Sequence, residues 1–207
     1  MHSDSVPSEL QPRENCETLS TVCLLGDSGV GKSSLILRFT DDALDMSDML
    51  SREIHGIFSR TKNVEQNGNT VKMKIWDWKG GERLQVMYMN HCRDAQGIML
   101  VYDVTNEQSF QNVRHHKRQI EQNLASSKSS SDQINLVLVG NKCDKLEAKV
   151  ISTSQGQALA DEWGMGFLET SALEGACVDA AFQNLADSIA ARLQQENGGS
   201  AVRSWWW

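Results

Sequence analysis

The sequence has few of the residues that build extended, disulfide-bonded or membrane-spanning proteins. Its 207 residues include only 2 prolines, and no apolar run approaches the ~18–20 residues that cross a bilayer. The 5 cysteines are scattered and form no CxxC pair, which indicates free thiols in a reducing compartment rather than a disulfide framework or a zinc site. A net charge of −7 disfavours basic phosphate-binding surfaces, so we expect no nucleic-acid partner.

The two ends of the chain differ in character from its middle. Residues 1–17 are polar and show no periodicity, so we expect a disordered arm. Residues 18–195 hold the apolar periodic segments and are expected to form one domain. Residues 196–207 are expected to be a flexible tail that ends in three tryptophans. No signal peptide or C-terminal prenylation cysteine is found. We therefore expect a cytoplasmic protein, at most peripheral on endomembranes through a partner or through the tryptophan tail.

Short apolar runs alternate with amphipathic segments along the middle of the chain. We predict strands at residues 21–25, 71–76, 98–102 and 136–139, and the turn Asn67-Gly68 favours a hairpin before the second of them. Two sets of apolar residues recur at helical spacing: Phe110, Val113, Ile120 and Leu124, then Val178, Phe182, Leu185 and Ile189. The alternation predicts an α/β fold of three layers, with a mostly parallel sheet, one antiparallel hairpin strand and helices on both faces.

Residues 26–33 read GDSGVGKS and match the pattern GxxxxGK[ST] between a predicted strand and a predicted helix. In such a P-loop the backbone N–H groups and the helix N-terminus bind phosphate oxygens, which predicts a P-loop NTPase fold. We expect Lys32 to reach the terminal phosphates and Ser33 to ligate Mg²⁺. A glycine turn with an exposed lysine is the alternative, and the strand–loop–helix setting disfavours it. The predicted phosphate-binding residues are Ser28, Gly29, Val30, Gly31, Lys32, Ser33 and Ser34.

Asn141-Lys142-Cys143-Asp144 directly follows another predicted strand and bears on the choice of base. A carboxylate at Asp144 can accept two hydrogen bonds, from the N1–H and the 2-amino group of guanine, and adenine lacks that pair of donors. On its own the tetrapeptide could be a polar turn. Downstream of a P-loop, it favours a guanine nucleotide. Farther along, a turn at Thr170-Ser171-Ala172-Leu173 could present a backbone N–H to the guanine carbonyl, although that signal is weak by itself.

Together these segments resemble the Ras-superfamily small GTPases of the Rab type, over residues 18–195. The segments Lys72–Trp76 and Leu100–Phe110 resemble Rab-characteristic stretches as well. The resemblance implies binding of GDP and GTP with Mg²⁺, hydrolysis of GTP to GDP and phosphate, and a switch role in vesicle traffic. It also implies an exchange factor, an activating protein and effectors as partners.

Site roles carry over where the residues match. The resemblance assigns Asp77 to holding Mg²⁺ through water, and Gly80 to donating a backbone hydrogen bond to the γ-phosphate. It makes Lys32 part of the catalytic set. It assigns the nucleotide base to Asn141, Lys142, Asp144, Ser171, Ala172 and Leu173.

Departures from the family cluster at the switch positions. Where the family reads WDTAGQER, this chain reads WDWKGGER, so Gly81 replaces the glutamine that orients the attacking water. We expect a low intrinsic hydrolysis rate, unless another side chain supplies the contact. Ile54 stands where the first-switch threonine is expected, and Ser51 could substitute only if the loop is rearranged. Leu44 occupies the position of the aromatic residue that flanks guanine, and His91-Cys92 replaces a tyrosine pair.

Three functions remain open from the sequence: a slow GTPase switch, a pseudo-GTPase scaffold that holds nucleotide as a structural ligand, and a P-loop kinase. Gly81 and the missing threonine favour the scaffold, whereas Lys32, Ser33 and Asp77 favour the switch. The Asn141–Asp144 segment and the lack of a second substrate domain argue against the kinase. His91, His115 and His116 could suggest a metal site. We instead predict solvated positions for them, because no ligand-spaced partners accompany them.

Overall fold

The structure is a computed structural model that describes residues 18–40, 56–66, 69–79, 88, 92–125 and 134–201. Its strands are β1 (Thr18–Leu25), β2 (Gly56–Gln66), β3 (Asn69–Lys79), β4 (Gly97–Asp103), β5 (Asn135–Asn141) and β6 (Gly166–Thr170). Its helices are α1 (Lys32–Thr40), α2 (Glu107–Ala125), α3 (Thr153–Trp163) and α4 (Val178–Ala201), with a short 3₁₀ turn at Leu146–Ala148.

The described strands form one sheet in the order β2-β3-β1-β4-β5-β6. Every neighbouring pair is parallel except β2 and β3, which run antiparallel from Gly56–Lys79 to Gln66–Asn69. The predicted turn at Asn67-Gly68 lies outside the described residues. The fold class predicted from the sequence is confirmed: a mostly parallel α/β sheet with one antiparallel hairpin strand.

Helices cover both faces of the sheet, as the continuous apolar strands require. Alternation along β1 sends Val22 and Leu24 to a core shared with α1 and α4, and Cys23 and Leu25 to a second core shared with α2 and α3. In the first core, Phe39 of α1 stacks on Phe182 of α4, with ring centroids 4.0 Å apart. Strand β4 contributes to both cores and is buried along its whole length.

The predicted helical periodicities match the buried faces. Val113 and Ile120 are buried on α2, with Phe110 packed against them more openly. All four predicted apolar residues of α4 are buried: Val178, Phe182, Leu185 and Ile189. The side chain of Leu124 lies outside those described.

The C-terminal helix and the described cysteines bear on two expectations from the sequence. Helix α4 runs to Ala201, beyond the expected domain end at residue 195, while residues 1–17 and 202–207 lie outside the described residues. None of the described helices combines the length and apolar character that a bilayer crossing needs. The described cysteines are free thiols: Cys23, Cys92, Cys143 and Cys177.

Gly156 on α3 offers a test of this packing. A Cβ there would lie 2.4 Å from Cζ of Phe167 and 2.5 Å from the hydroxyl oxygen of Tyr102. Alanine in place of a helical glycine normally stabilises by up to ~1 kcal/mol. We expect Gly156→Ala instead to lower the free energy of unfolding by ~1–3 kcal/mol, because the core would be overpacked. Urea denaturation measures the change, and Gln157→Ala, at the exposed next position, is the control. A more stable Gly156→Ala variant would contradict the packing argument.

Candidate functional site

The P-loop connects β1 to α1 and depends on two glycines. Gly26 has φ +152°, and a Cβ there would meet the carbonyl oxygen of Val101 at 2.1 Å. Gly31 has φ +102°, and its Cβ would meet Nδ2 of Asn141 at 2.2 Å. Both positions therefore exclude a side chain on steric grounds as well as by backbone conformation. The loop consequently lies close against β4 and β5.

Lys32 begins α1 and turns back over the loop. Its Nζ donates to the carbonyl oxygens of Gly26 (2.8 Å) and Asp27 (2.6 Å), and the residue is 8% exposed. Burial lowers the pKa of Lys32 to about 8, although the charges of Asp77 and Asp27 raise it. The buried ammonium thus lacks full compensation for its lost hydration. A phosphate group would supply the missing negative charge.

Ser33 and Asp77 meet beside this lysine. The hydroxyl of Ser33, in the first turn of α1, donates to Oδ1 of Asp77 on β3 at 3.0 Å. A hydroxyl and a carboxylate are the oxygen ligands that Mg²⁺ takes. The donor set therefore fits Mg²⁺.

The buried amide of Asn141 joins three loops. Its Nδ2 donates to the carbonyl oxygen of Val30 at 2.9 Å, which fixes the P-loop to the end of β5. Its Oδ1 accepts from the hydroxyl of Thr170 and from the backbone N–H of Ala172, both at 3.2 Å. Asn141 is 1% exposed. The phosphate loop and the two predicted base-binding segments therefore form one connected site.

Lys142 adds a second link to the P-loop. It has a left-handed backbone with φ +69°, and its Nζ donates to the carbonyl oxygen of Gly29 (2.7 Å) and to Oδ2 of Asp103 (2.6 Å). Burial raises the pKa of Asp103, but hydrogen bonds from Lys142 and Thr105 outweigh it and hold that pKa below its usual value. The carboxylate of Asp103 thus stays charged and fixes Lys142 over the loop.

The predicted base-binding residues lie together on the other side of Asn141. The hydroxyl of Ser171 donates to Oδ1 of Asp144 at 2.5 Å. Arg38 of α1 donates through Nε to the carbonyl oxygen of Ala172 (2.9 Å) and through Nη2 to that of Leu173. These bonds fix the Ser171–Leu173 turn beside the Asp144 carboxylate. Because a carboxylate has about four lone-pair sites, Asp144 keeps acceptor capacity for a ligand.

Sequence reasoning missed Asp103 and Arg38 and was wrong about His116. The prediction of a solvated position holds for His115, which is exposed, but not for His116, which is 9% exposed. Its Nε2 lies 2.9 Å from Oδ1 of Asp27. His116 shares the face of α2 that carries Val113 and Ile120, and that spacing was the available signal. Among the described residues no group of three or more side chains could hold a metal ion through His, Cys, Asp or Glu alone.

Most of the predicted switch positions lie outside the described residues: Leu44, Ser51, Ile54, Gly80, Gly81 and His91. Cys92 is described and is 2% exposed.

Tyr88 follows the WDWKGGER segment and precedes β4 in the chain, and it is described and fully buried. Its hydroxyl accepts from the N–H of Leu24 (3.0 Å), and the carbonyl oxygens of Leu24 and Trp76 lie 3.0 and 3.1 Å away as acceptors. Its ring stacks on Trp78, one of the residues that depart from the family pattern, at 5.8 Å between centroids. Tyr88 is therefore held where the pairing of β1 with β3 ends, beside the residues that precede the P-loop and Asp77.

Comparison with known proteins covers this whole site. The chain matches the Ras family over residues 21–191. It is 46% identical over 191 residues to the GTP-binding protein yptV2 of Volvox carteri, and this alignment spans 92% of this chain and 84% of that protein. It is 44% identical over 175 residues to the Ras-related protein Rab-8B of Dictyostelium discoideum, spanning 84% and 82%. It is 43% identical over 186 residues to the Ras-related protein RABE1e of Arabidopsis thaliana, spanning 89% and 81%.

The pKa of Lys32 generates a prediction about pH. Phosphate at the site would favour the ammonium, so its pKa rises on binding from about 8. Above about pH 8, binding must take up a proton, and affinity for GDP falls by up to about tenfold per pH unit. Folding stability of the nucleotide-free protein depends on pH in the opposite direction. The pKa of Lys32 is about 8 in the folded protein and 10.5 in the unfolded chain. Between these values the unfolded chain binds more protons, so the free energy of unfolding rises with pH.

Titration calorimetry at pH 8.5 in two buffers of different ionisation enthalpy measures the proton uptake. Lys32→Ala removes the group and should remove both the uptake and most of the affinity. Binding by the unmodified chain without proton uptake would contradict a depressed pKa for Lys32.

Proposed function

This chain belongs to the Ras family, and on that premise we propose that it binds GDP and GTP with Mg²⁺ and acts as a slow GTPase switch in vesicle traffic. The observation that carries the proposal is the junction at Asn141, through which the phosphate loop and the base-binding segments are hydrogen-bonded into one site. A nucleotide has a phosphate chain and a base joined through a single ribose, so their separation is limited. A site in which both recognition elements are tied together suits such a ligand.

Each part of the site has a proposed task toward the nucleotide. Lys32 balances the charge of the terminal phosphates, and the loop N–H groups bind their oxygens. Ser33 would ligate Mg²⁺, and Asp77 would hold it through water. Bound Mg²⁺ would neutralise the charge on the phosphate oxygens. Because the hydroxyl of Ser33 donates its hydrogen to Asp77, its oxygen lone pairs would remain available to the ion.

Guanine selectivity is assigned to Asp144. Its carboxylate accepts from the N1–H and 2-amino groups of the base, while Ser171 holds its Oδ1 from the protein side. Ala172 and Leu173 follow in a turn that Arg38 fixes from α1. We propose that this turn donates a backbone hydrogen bond to the guanine carbonyl, and that Lys142 lies along the ring. The carbonyl contact is not available to adenine, which carries an amino group at that position.

Catalysis is proposed to be weak. Phosphoryl transfer depends mainly on positioning and on charge stabilisation. Lys32 supplies charge, and Gly80 is proposed to donate to the γ-phosphate, but Gly81 offers no side chain to orient water. Intrinsic hydrolysis is therefore expected at or below the ~10⁻⁴ s⁻¹ scale of unassisted small GTPases.

A second candidate is a nucleotide-stabilised scaffold, and the environment of Tyr88 favours it. That side chain is buried, bonded to Leu24 and near Trp76, and stacked on Trp78. A residue held this firmly, a few positions after the WDWKGGER segment, would restrict rearrangement of that segment in response to the γ-phosphate. Equal binding of one protein partner in the GDP and GTP forms would favour the scaffold over the switch.

The proposed partners follow those of the family. An exchange factor, an activating protein and effectors are expected to recognise the nucleotide-bound forms. We propose a cytoplasmic location, with contact to endomembranes through a partner or through the tryptophans at 205–207.

The first test concerns the base. Asp144→Asn presents one acceptor and one donor where guanine needs two acceptors. We expect GTP affinity to fall by at least ~100-fold, with a limit near ~10⁴-fold. Xanthosine triphosphate should gain, because its 2-oxygen can accept from the new amide. Titrating GTP, ATP and xanthosine triphosphate measures the change, and Asp161→Asn, exposed on α3, is the control. Equal affinity of the unmodified chain for ATP and GTP would refute guanine selectivity.

The second test concerns the rate. Gly81→Gln restores a side chain that can orient water, and we expect single-turnover hydrolysis of bound GTP to rise about tenfold, a barrier change of roughly 1.4 kcal/mol. Nucleotide affinity should change little, because the P-loop and Asp144 are untouched. An unmodified chain that already hydrolyses at the rate of a glutamine-bearing relative would contradict the argument. Glu82→Ala and Ser51→Ala would then identify the substitute.

A further inference from the structure

Two side chains of α2, the buried His116 and the half-buried Asn112, hold the one acidic side chain of the P-loop. Nδ2 of Asn112 donates to Oδ2 of Asp27 at 2.8 Å, and Nε2 of His116 lies 2.9 Å from Oδ1 of the same carboxylate. The two residues are four apart and so share one face of the helix. Both carboxylate oxygens are therefore engaged from α2.

His116 makes this contact and no other that is described for its ring nitrogens. Its Nδ1 is buried and has no hydrogen-bond partner among the described residues. The bond to Asp27 assigns a proton to Nε2, since a carboxylate can only accept. Buried polar side chains are normally hydrogen-bonded, and Asp27 is the partner described for this ring. The polar role of His116 thus concerns Asp27.

Asp27 is placed where a loose carboxylate would interfere with ligand binding. Its own carbonyl oxygen accepts from Nζ of Lys32 at 2.6 Å, so the two residues are in direct contact through the backbone. Burial lowers the pKa of Lys32, and the negative charges of Asp77 and Asp27 raise it, which places Asp27 within electrostatic range of the ammonium. A carboxylate released from α2 could pair with Lys32 and compete with phosphate for the ammonium.

We propose that His116, assisted by Asn112, is a positioning residue that holds the Asp27 carboxylate away from Lys32 and thereby keeps the ammonium available to the nucleotide phosphates. The inference rests on the proposed nucleotide binding, because phosphate is the ligand that competes with Asp27. It assigns to α2, which contributes no predicted ligand contact, control over how tightly the P-loop holds its nucleotide. The action passes through one charged side chain and requires no movement of the helix.

The test is the dissociation rate of fluorescent GDP from the full chain with Mg²⁺. His116→Phe keeps a ring of similar shape but removes the donor, and we expect dissociation to accelerate on the order of tenfold, within the range for hydrogen bonds to charged groups. His116→Gln retains an amide donor and should restore the rate to within about threefold of the unmodified chain. Asn112→Ala should accelerate dissociation to a smaller degree. His115→Phe, at the exposed neighbouring position, should leave the rate unchanged.

A double mutant separates positioning from packing. Asp27→Asn removes the competing charge, so His116→Phe in that background should change the rate by less than about twofold. The same acceleration in both backgrounds would show that His116 acts through the packing of α2 and would overturn the proposal. So would an unchanged rate for His116→Phe in the original background. If His116→Phe does not fold, the comparison of Asn112→Ala with Asn112→Ala/Asp27→Asn decides by the same criterion.

Failure of the proposed function gives a different result from failure of this inference. An unmodified chain that binds no GDP contradicts the proposed function. The positioning role is then decided by the nitrogen resonance of His116 Nε2 in the nucleotide-free protein. A shift of that resonance in Asp27→Asn, with none in Asp144→Asn, supports the bond, and its absence overturns the proposal.

Discussion

The site depends on one buried amide. Asn141 donates to Val30 of the P-loop and accepts from both Thr170 and Ala172. Its polar atoms are therefore hydrogen-bonded although the residue is only 1% exposed. Removing such a group leaves several partners unpaired at once, and each unpaired buried group costs about 1–3 kcal/mol. Gly31 is the other half of this contact, because any Cβ there would collide with Nδ2 of Asn141. The amide and the glycine therefore constrain each other.

Two lysines also hold the P-loop through its carbonyl oxygens. The carbonyl oxygens of Gly26 and Asp27 accept from Lys32, and that of Gly29 accepts from Lys142. Cations and amides thus occupy the carbonyl side of the loop, while the first N–H groups of α1 have no intrahelical partner. The result is a concavity that favours anions in an otherwise acidic protein with net charge −7. Local geometry, and not overall charge, sets the chemistry of this site.

The sequence predicted those features that depend on local patterns. Alternation and helical spacing identified the sheet, its antiparallel pair and the buried face of α4, because these follow from periodic burial. The P-loop and the Asn141–Asp144 segment were found because consecutive residues act together. Arg38 binding to Ala172 joins residues 134 positions apart, and Asp103 binding to Lys142 joins residues 39 apart. Such contacts arise from the arrangement of strands, and no local pattern encodes them.

His116 shows how a local pattern can be present and still be read wrongly. Its spacing from Val113 and Ile120 places it on the buried face of α2, yet the polar character of histidine favours the prediction of a solvent-exposed position. In the fold, α2 packs beside the P-loop, and the carboxylate of Asp27 contacts the ring of His116. The ring is therefore buried against an anion. A buried polar side chain is tolerated when its partner compensates for lost hydration. Through Asp27, the buried His116 of α2 can influence the phosphate site, because Asp27 belongs to the same loop as Lys32.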